Sequence, residues 1–116
     1  MIQANELRIG NYVIAKGEIE KVDDVLLFGI NLHHDCWEFE YKDIKPIELT
    51  EEILLKCGFS NFSKPQYRWL LGDFKLDIDD FAICFMGNWL DIKICYLHQL
   101  QNLYFALTNT ELKINL

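Results

Sequence analysis

Residues 96–107 read YLHQLQNLYFAL, and this stretch is the clearest indication of the fold class. Its apolar residues recur every three or four positions, at 96, 97, 100, 103, 104 and 107, which is the period of one helical face. The opposite face is polar but uncharged and carries His98, Gln99, Gln101 and Asn102. The sequence therefore predicts one strong helix over about 96–107 among shorter elements.

Short strand patterns fill the first half of the chain. Apolar residues alternate or run together at 7–14, 18–22, 25–30 and 37–41, and residues 42–49 close the series. Turn residues separate the segments, and one turn is predicted at Asp23-Asp24. Five short strands in this spacing predict a strongly bent meander or an SH3-like barrel.

A two-turn helix is predicted directly after this region. Thr50 is a good N-cap for a helix over 51–57, and Gly58 is a natural residue just beyond its end. Ile53, Leu54 and Cys57 form its apolar stripe.

A second meander is predicted in the other half, with strands at 67–71, 74–78, 81–85 and 89–94. Hairpin turns are expected at Gly72-Asp73 and Gly87-Asn88. We expect the 96–107 helix to pack on this sheet and residues 111–116 to add a final strand. The predicted fold is α+β, in a single domain over 1–116 with a β-rich subregion (1–49) and an α+β subregion (50–116).

Composition restricts the function. The 116 residues are 51% hydrophobic with only two prolines and six glycines, which is typical of a globular domain. The net charge is −7, and residues 1–58 carry twelve acidic against six basic residues. This balance disfavours binding to nucleic acid or to anionic lipid, because both are polyanions.

The sequence also allows predictions about the cellular location of the protein and about cofactors. The first residues carry no basic and apolar leader, and the apolar runs at 25–30 and 81–87 are much shorter than the ~20 residues of a membrane span. We therefore expect a cytoplasmic protein without a membrane segment. Its four cysteines, at 36, 57, 84 and 95, form no C-x-x-C pair, so reduced thiols and no cofactor are expected.

One candidate metal site is the run His33, His34, Asp35 and Cys36. Neighbouring strand residues point to opposite faces, so His33 could share an ion with Asp35, or His34 with Cys36. Two ligands do not complete a site, and the remaining ligands would have to come from the other cysteines. The alternative is a polar loop between two strands.

A second candidate is a carboxylate pair. Asp77 and Asp79 lie two positions apart on a predicted strand, where they could hold Mg²⁺, and His98 could act as a base. This would be a small metal-dependent hydrolase. The alternative is a solvated strand end that leads into an Asp79-Asp80 turn.

A third candidate is an acidic binding surface made by Glu18, Glu20, Glu38 and Glu40. Alternation places Glu38 and Glu40 opposite the aromatic residues at 37, 39 and 41, and places Glu18 and Glu20 opposite Ile19. If the apolar residues face the core, the acids share the outer surface. The surface would bind a basic protein, or it serves only to keep the sheet soluble.

Three segments carry a resemblance: LRIGNYV at 7–13, PIELTEEILLKCGF at 46–59 and LHQLQNLYFALT at 97–108. With them the chain resembles a group of small uncharacterised proteins of Bacteroides-type bacteria, often encoded by prophages and mobile elements. The resemblance implies a bacterial cytoplasmic setting and no particular activity. Residues 33–36 and 77–80 lie outside it.

These observations favour a non-enzymatic protein-binding or accessory module whose partner has a basic surface. The alternative is the metal-dependent hydrolase that uses Asp77 and Asp79. Mimicry of a nucleic acid by the acidic residues is a third interpretation, although −7 is a modest charge for it.

Overall fold

The structure is a computed structural model that describes residue 2 and residues 4–25, 29–32, 38–61 and 68–115. It confirms the α+β class. The described elements, apart from two short 3-10 helices at Ala4–Glu6 and Tyr41–Asp43, are β1 (Tyr12–Ala15), β2 (Glu18–Val25), β3 (Gly29–Leu32), β4 (Glu38–Glu40), β5 (Ile44–Lys45), α1 (Glu51–Lys56), β6 (Arg68–Leu71), β7 (Phe74–Asp77), β8 (Ala82–Phe85), β9 (Asn88–Lys93) and α2 (Leu97–Thr108).

The chain divides into two compact units. The first unit comprises Met1–Glu48 and Tyr96–Thr110, and the second comprises Leu49–Cys95 and Glu111–Leu116. Helix α2 belongs to the first unit and contacts β1, so the prediction that it packs on the second meander is wrong.

The first unit contains an antiparallel sheet in the order β4-β3-β2-β1-β5. Strand β1 alternates between half-buried and buried residues, and Val13 and Ala15 face the core. Val22 and Ile30 extend this core onto β2 and β3. Burial of one face of the sheet fixes its register, because a slip of one residue would expose all four side chains.

Strand β2 passes through the predicted Asp23-Asp24 turn without turning. Val22 pairs with Leu32 and Asp24 pairs with Asn31, so the register shifts at Asp23 as in a β-bulge. The predicted turn is wrong because the strand continues to pair with β3 on both sides of the bulge. An extra residue also reverses which side of the strand faces the core.

Helix α2 buries a different face from the one that its apolar stripe predicts. Leu97 and Leu100 are fully buried, but Leu107 is exposed, and the polar residues His98 and Gln101 are buried as completely as the leucines. The helix itself is confirmed over Leu97–Thr108. Its buried face is therefore half polar, which requires hydrogen-bond partners inside the unit.

The second unit contains an antiparallel sheet in the order β6-β7-β8-β9. The Gly72-Asp73 turn is confirmed, since Leu71 pairs with Phe74. In the last hairpin Phe85 pairs with Asn88, so the turn residues are Met86 and Gly87 rather than Gly87 and Asn88. Both have positive φ, 51° and 85°, as a type I′ turn requires.

Helix α1 forms as its end signals predict. The Thr50 hydroxyl accepts a hydrogen bond from the Ile53 amide at 3.3 Å. At the other end Gly58 has φ +89°, its amide donates to the Leu55 carbonyl, and the Phe59 amide donates to the Leu54 carbonyl. This is the Schellman arrangement.

The predicted final strand is wrong. Residues 111–115 form no strand pairing. Leu112 is buried, and the Asn115 amide donates to the Lys56 carbonyl at the end of α1. The alternating pattern of this segment thus supplies a single core side chain and one backbone hydrogen bond, which does not require a strand.

Candidate functional site

The predicted acidic residues on β2 lie on the core side of the sheet. Glu18 pairs with Ala15 and Glu20 pairs with Val13, and residues opposite each other in an antiparallel pair share a face. Glu18 is exposed and Glu20 is half-buried, because they lie towards the end of the strand. Ile19 is on the other face and is 43% exposed, so the expectation that it faces the core is wrong.

The bulge at Asp23 places the next acids on the outer face. Asp24 pairs with Asn31, and Asn31 pairs with Glu38 of β4, so the three form one lateral row of register positions. Glu40, two positions from Glu38, continues that face and is exposed. We call the exposed residues Asp23, Asp24 and Glu40 the acidic row.

A lysine lies beside the acidic row. The Lys42 ammonium lies 3.3 Å from a Glu40 carboxylate oxygen, and both side chains are about two-thirds exposed. An ion pair this exposed contributes little stability, since water screens it and two flexible side chains must be ordered. It reduces the repulsion along the row, as interleaved lysines are expected to do.

A buried polar network joins α2 to the segment before β1. Gln101 is 1% exposed; its side-chain oxygen accepts from the Tyr12 amide at 2.9 Å and its side-chain nitrogen donates to the Gly10 carbonyl at 3.0 Å. Asn102 accepts from Asn11 Nδ2 at 2.8 Å and donates to the Glu6 carbonyl at 2.7 Å. Every one of these contacts bridges about 90 positions of sequence.

Arg8 completes this network. Its Nε donates to the Asn102 side-chain oxygen at 2.9 Å, and its Nη2 donates to the Gln101 carbonyl at 3.3 Å. The guanidinium also lies 4.5 Å from the centroid of the Phe105 ring, within the range of a cation–π contact. Arg8 thus holds α2 through charge-assisted hydrogen bonds and ring contact together.

His98 occupies the same interface in a different way. Its Nε2 lies 3.3 Å from a Glu6 carboxylate oxygen, its ring stacks on Tyr96 at 6.0 Å, and its buried Nδ1 has no hydrogen-bond partner among the described residues. Burial lowers the pKa of His98, while the hydrogen bond and the charge of Glu6 act in the opposite, weaker direction. A neutral ring that donates from Nε2 fits this environment.

The network joins two segments that the sequence analysis singled out. Arg8, Asn11 and Tyr12 lie in the LRIGNYV segment, and His98, Gln101 and Asn102 lie in the LHQLQNLYFALT segment. Sequence reasoning assigned these residues to separate elements. A cluster of uncharged polar residues on a helix is the available signal for such a network, because an ordinary solvated face carries charges.

Asp77 and Asp79 lie two positions apart, and the Asp77 carboxylate accepts hydrogen bonds from the turn that follows it. Asp77 is 7% exposed, and one of its oxygens accepts from the amides of Asp79 at 3.0 Å and Asp80 at 3.3 Å. This is the Asx-turn use of an aspartate. Asp79 is exposed. The third member of the predicted catalytic set, His98, belongs to the first unit, where it contacts Glu6.

The predicted metal ligands His33, His34, Asp35 and Cys36 lie outside the described residues, as does Trp37. Cys57 and Cys84 are buried free thiols, and Cys95 is half-buried. Burial raises the pKa of Cys57 to about 12. Within the described ranges, no three His, Cys, Asp or Glu side chains are grouped so that they could hold a metal ion.

Comparisons with known proteins give only a partial likeness. No family model matches the chain, and no solved structure matches it. Part of the chain is similar to Tetraspanin-12 of Homo sapiens, Bos taurus and Gallus gallus, at 24% identity over 71 residues. The match covers 59% of this chain but 23% of those proteins. The chain therefore spans less than a quarter of the curated relatives it matches, and this similarity does not establish membership of their family.

In the part of the chain that the structure describes, α2 is the longest helix, with twelve residues, and no helix combines the length and apolarity needed to cross a membrane.

Proposed function

We propose that the protein is a non-enzymatic protein-binding module, an accessory of a phage or other mobile element, that binds a partner with a basic surface. The observation that carries this proposal is the acidic row, the exposed residues Asp23, Asp24 and Glu40 on β2 and β4 of the first sheet. These like charges lie on strands separated by β3, so they repel one another only weakly, but together they present a negative surface to a cationic partner.

The charge distribution within the first unit supports this proposal. The unit carries ten acidic and five basic residues, a net charge of −5, against −2 for the second unit. Its helical part, Tyr96–Thr110, contributes no Asp, Glu, Lys or Arg. The negative charge is thus concentrated in the part of the unit that contains the sheet, where it steers a cationic partner during encounter.

We also propose that the first unit is an SH3-like barrel, which its strand arrangement favours. Long strand β2 pairs with both β1 and β3, the Tyr41–Asp43 3-10 helix precedes β5, and β5 returns to pair with β1. Such a barrel presents binding surfaces on rigid strands, although the fold alone implies no partner. We place the protein in the cytoplasm. We propose no nucleic-acid ligand, because the net charge of −7 opposes binding to phosphate groups.

The hydrolase interpretation is less well supported. An Mg²⁺ site needs carboxylate oxygens that point to a shared ion, and an Asp77 oxygen already accepts two backbone hydrogen bonds. Asp77 and Asp79 would therefore have to exchange a formed turn for a metal site.

The test compares two triple variants of the same net charge. Asp23→Asn, Asp24→Asn and Glu40→Gln neutralise the acidic row; Glu18→Gln, Glu20→Gln and Glu48→Gln neutralise as many acids elsewhere in the first unit. Each variant is used as bait in extracts of the cells from which the gene comes, at increasing salt. We expect wild type and the second variant to retain a common basic partner, with capture falling steeply as salt rises.

The first variant should lose that partner. Equal capture by both variants would show that the acidic row is only a solvated surface. Equal loss in both would show that overall charge, and not this arrangement, governs binding.

A further inference from the structure

Strand β9 leaves one edge of the second sheet open. It pairs with β8 on one side, and no described strand lies along its other side. At the opposite edge, Ser60 pairs with Leu70 of β6 through two backbone hydrogen bonds of 2.9 Å. Just past β9, the Leu49 amide donates to the Cys95 carbonyl at 3.1 Å, so the open edge lies within residues 88–94. With six residues, β9 is the longest open edge among the described strands, since β4 and β5 have three and two. Long open edges are templates for pairing with another chain.

The side chains of β9 are exposed to an unusual degree. None of its residues is buried, and Trp89 and Ile92 are 48% and 46% exposed. Leu90 and Ile92 of β9, together with Asp80 of the turn before β8, also line an open depression of about 330 Å³. An edge that displays a tryptophan and an isoleucine gains free energy when a partner covers them.

A bulge interrupts the pairing of β9 with β8. Cys84 pairs with Trp89 and Ala82 pairs with Lys93, so three residues of β9 lie opposite one residue of β8. The extra residues of a bulge have no ladder partner.

The sequence at the centre of β9 is complementary to itself. Asp91 and Lys93 flank Ile92. When this strand is aligned antiparallel to a copy of itself about Ile92, Asp91 lies opposite Lys93 and Lys93 lies opposite Asp91. Opposite charges in such positions stabilise a strand pair, and like charges destabilise it.

We propose that β9 pairs antiparallel with β9 of a second copy of this chain, about a twofold axis at Ile92, and that the two sheets join into one. The contact is isologous, since the same surface serves both copies and the assembly closes at two. Charge complementarity selects this occupant over an arbitrary extended peptide. The interface lies wholly in the second unit and does not depend on the acidic row.

One existing contact must change when the pair forms. The Lys93 ammonium donates to the Asp80 carbonyl at 3.1 Å in an exposed position. Water replaces such a hydrogen bond at little cost. Lys93 is therefore available to the partner's Asp91.

Charge reversal tests the proposal without disturbing the core, because both residues are exposed. Asp91→Lys places lysine on both sides of Ile92, and Lys93→Asp places aspartate on both sides. We expect sedimentation equilibrium to give wild type twice the 13.7 kDa of one chain. Each single variant should dissociate at least about tenfold more readily, since two attractive pairs become two repulsive ones.

Two further samples restore complementarity. The double variant, Asp91→Lys with Lys93→Asp, pairs with itself again, and an equimolar mixture of the two single variants forms heterodimers. Circular dichroism of each variant confirms that it is folded. A wild-type protein that stays monomeric at millimolar concentration overturns the proposal. A dimer that survives unchanged in both single variants also overturns it, because another surface would then hold the two copies together.

Discussion

The side-chain nitrogen of Asn11 donates a 2.8 Å hydrogen bond to the side-chain oxygen of Asn102, which follows it by 91 positions. The same oxygen accepts from Arg8, and the Asn102 nitrogen donates to the Glu6 carbonyl. Asn102 therefore satisfies one fully buried amide, one guanidinium and one backbone carbonyl together. Together with Gln101 and Arg8, this side chain fixes the segment before β1 against helix α2.

Replacing Asn102 with alanine should destabilise the protein by about 2–3 kcal/mol, because the buried Asn11 amide loses its acceptor and Arg8 loses one of its hydrogen bonds. Asn115→Ala is the matched control: this residue is exposed and uses only its backbone amide, which alanine retains. Urea unfolding of both variants measures the difference. Equal free energies of unfolding would mean that water replaces the Asn102 contacts.

Local signals in the sequence predicted the local features of the fold. The ends of α1 are encoded within three residues of each end, by Thr50 before it and Gly58 after it, and both signals were correct. The buried face of α2 was not predictable in this way. The partners of Gln101 and Asn102 lie at residues 6–12, and no local pattern specifies contacts over that distance.

The candidate binding surface was also only partly predictable from local sequence patterns. Alternation correctly put Glu18 and Glu20 on one face and Ile19 on the other, but only the pairing of β1 with β2 determines which face is buried. A bulge at Asp23 then changes the face of every later residue on the strand. Aspartate pairs favour turns in isolated segments, and continued pairing with β3 overrides that preference.

His98 should make folding depend on pH. Burial lowers its pKa in the folded protein from the usual 6.5, so below pH 6.5 the unfolded chain binds a proton that the folded protein does not. The contribution of His98 to the free energy of unfolding should therefore be constant above pH 6.5. As the pH falls below 6.5, this contribution should decrease by up to about 1.4 kcal/mol per pH unit.

Substitution of His98 with glutamine isolates this contribution. Denaturation between pH 5 and 8 should show a smaller slope in His98→Gln than in wild type, and His34→Gln controls for the removal of a histidine elsewhere. Stability that increases as the pH falls would contradict the prediction, because it would mean that the ion pair with Glu6 outweighs burial.

Asp77 should tolerate asparagine but not alanine. Asparagine keeps a side-chain oxygen for the amides of Asp79 and Asp80, whereas alanine leaves both donors without it. We expect Asp77→Ala to cost about 1–2 kcal/mol and Asp77→Asn less than half of that. Thermal unfolding in the presence and absence of Mg²⁺ measures both effects. A melting temperature that rises with Mg²⁺ in wild type but not in Asp77→Asn would restore the hydrolase interpretation.

Cys57 should resist alkylation in the native protein. Its side chain is 3% exposed, and burial raises its pKa to about 12, so at pH 8 only about one thiol in 10⁴ is the reactive thiolate. Cys95, which is half-buried, provides the internal control. Iodoacetamide labelling followed by peptide mass spectrometry should show Cys95 modified well before Cys57 in buffer, and both modified at similar rates in 6 M guanidinium chloride. Equal native rates would mean that the α1 region, which buries Cys57, opens on the timescale of the reaction.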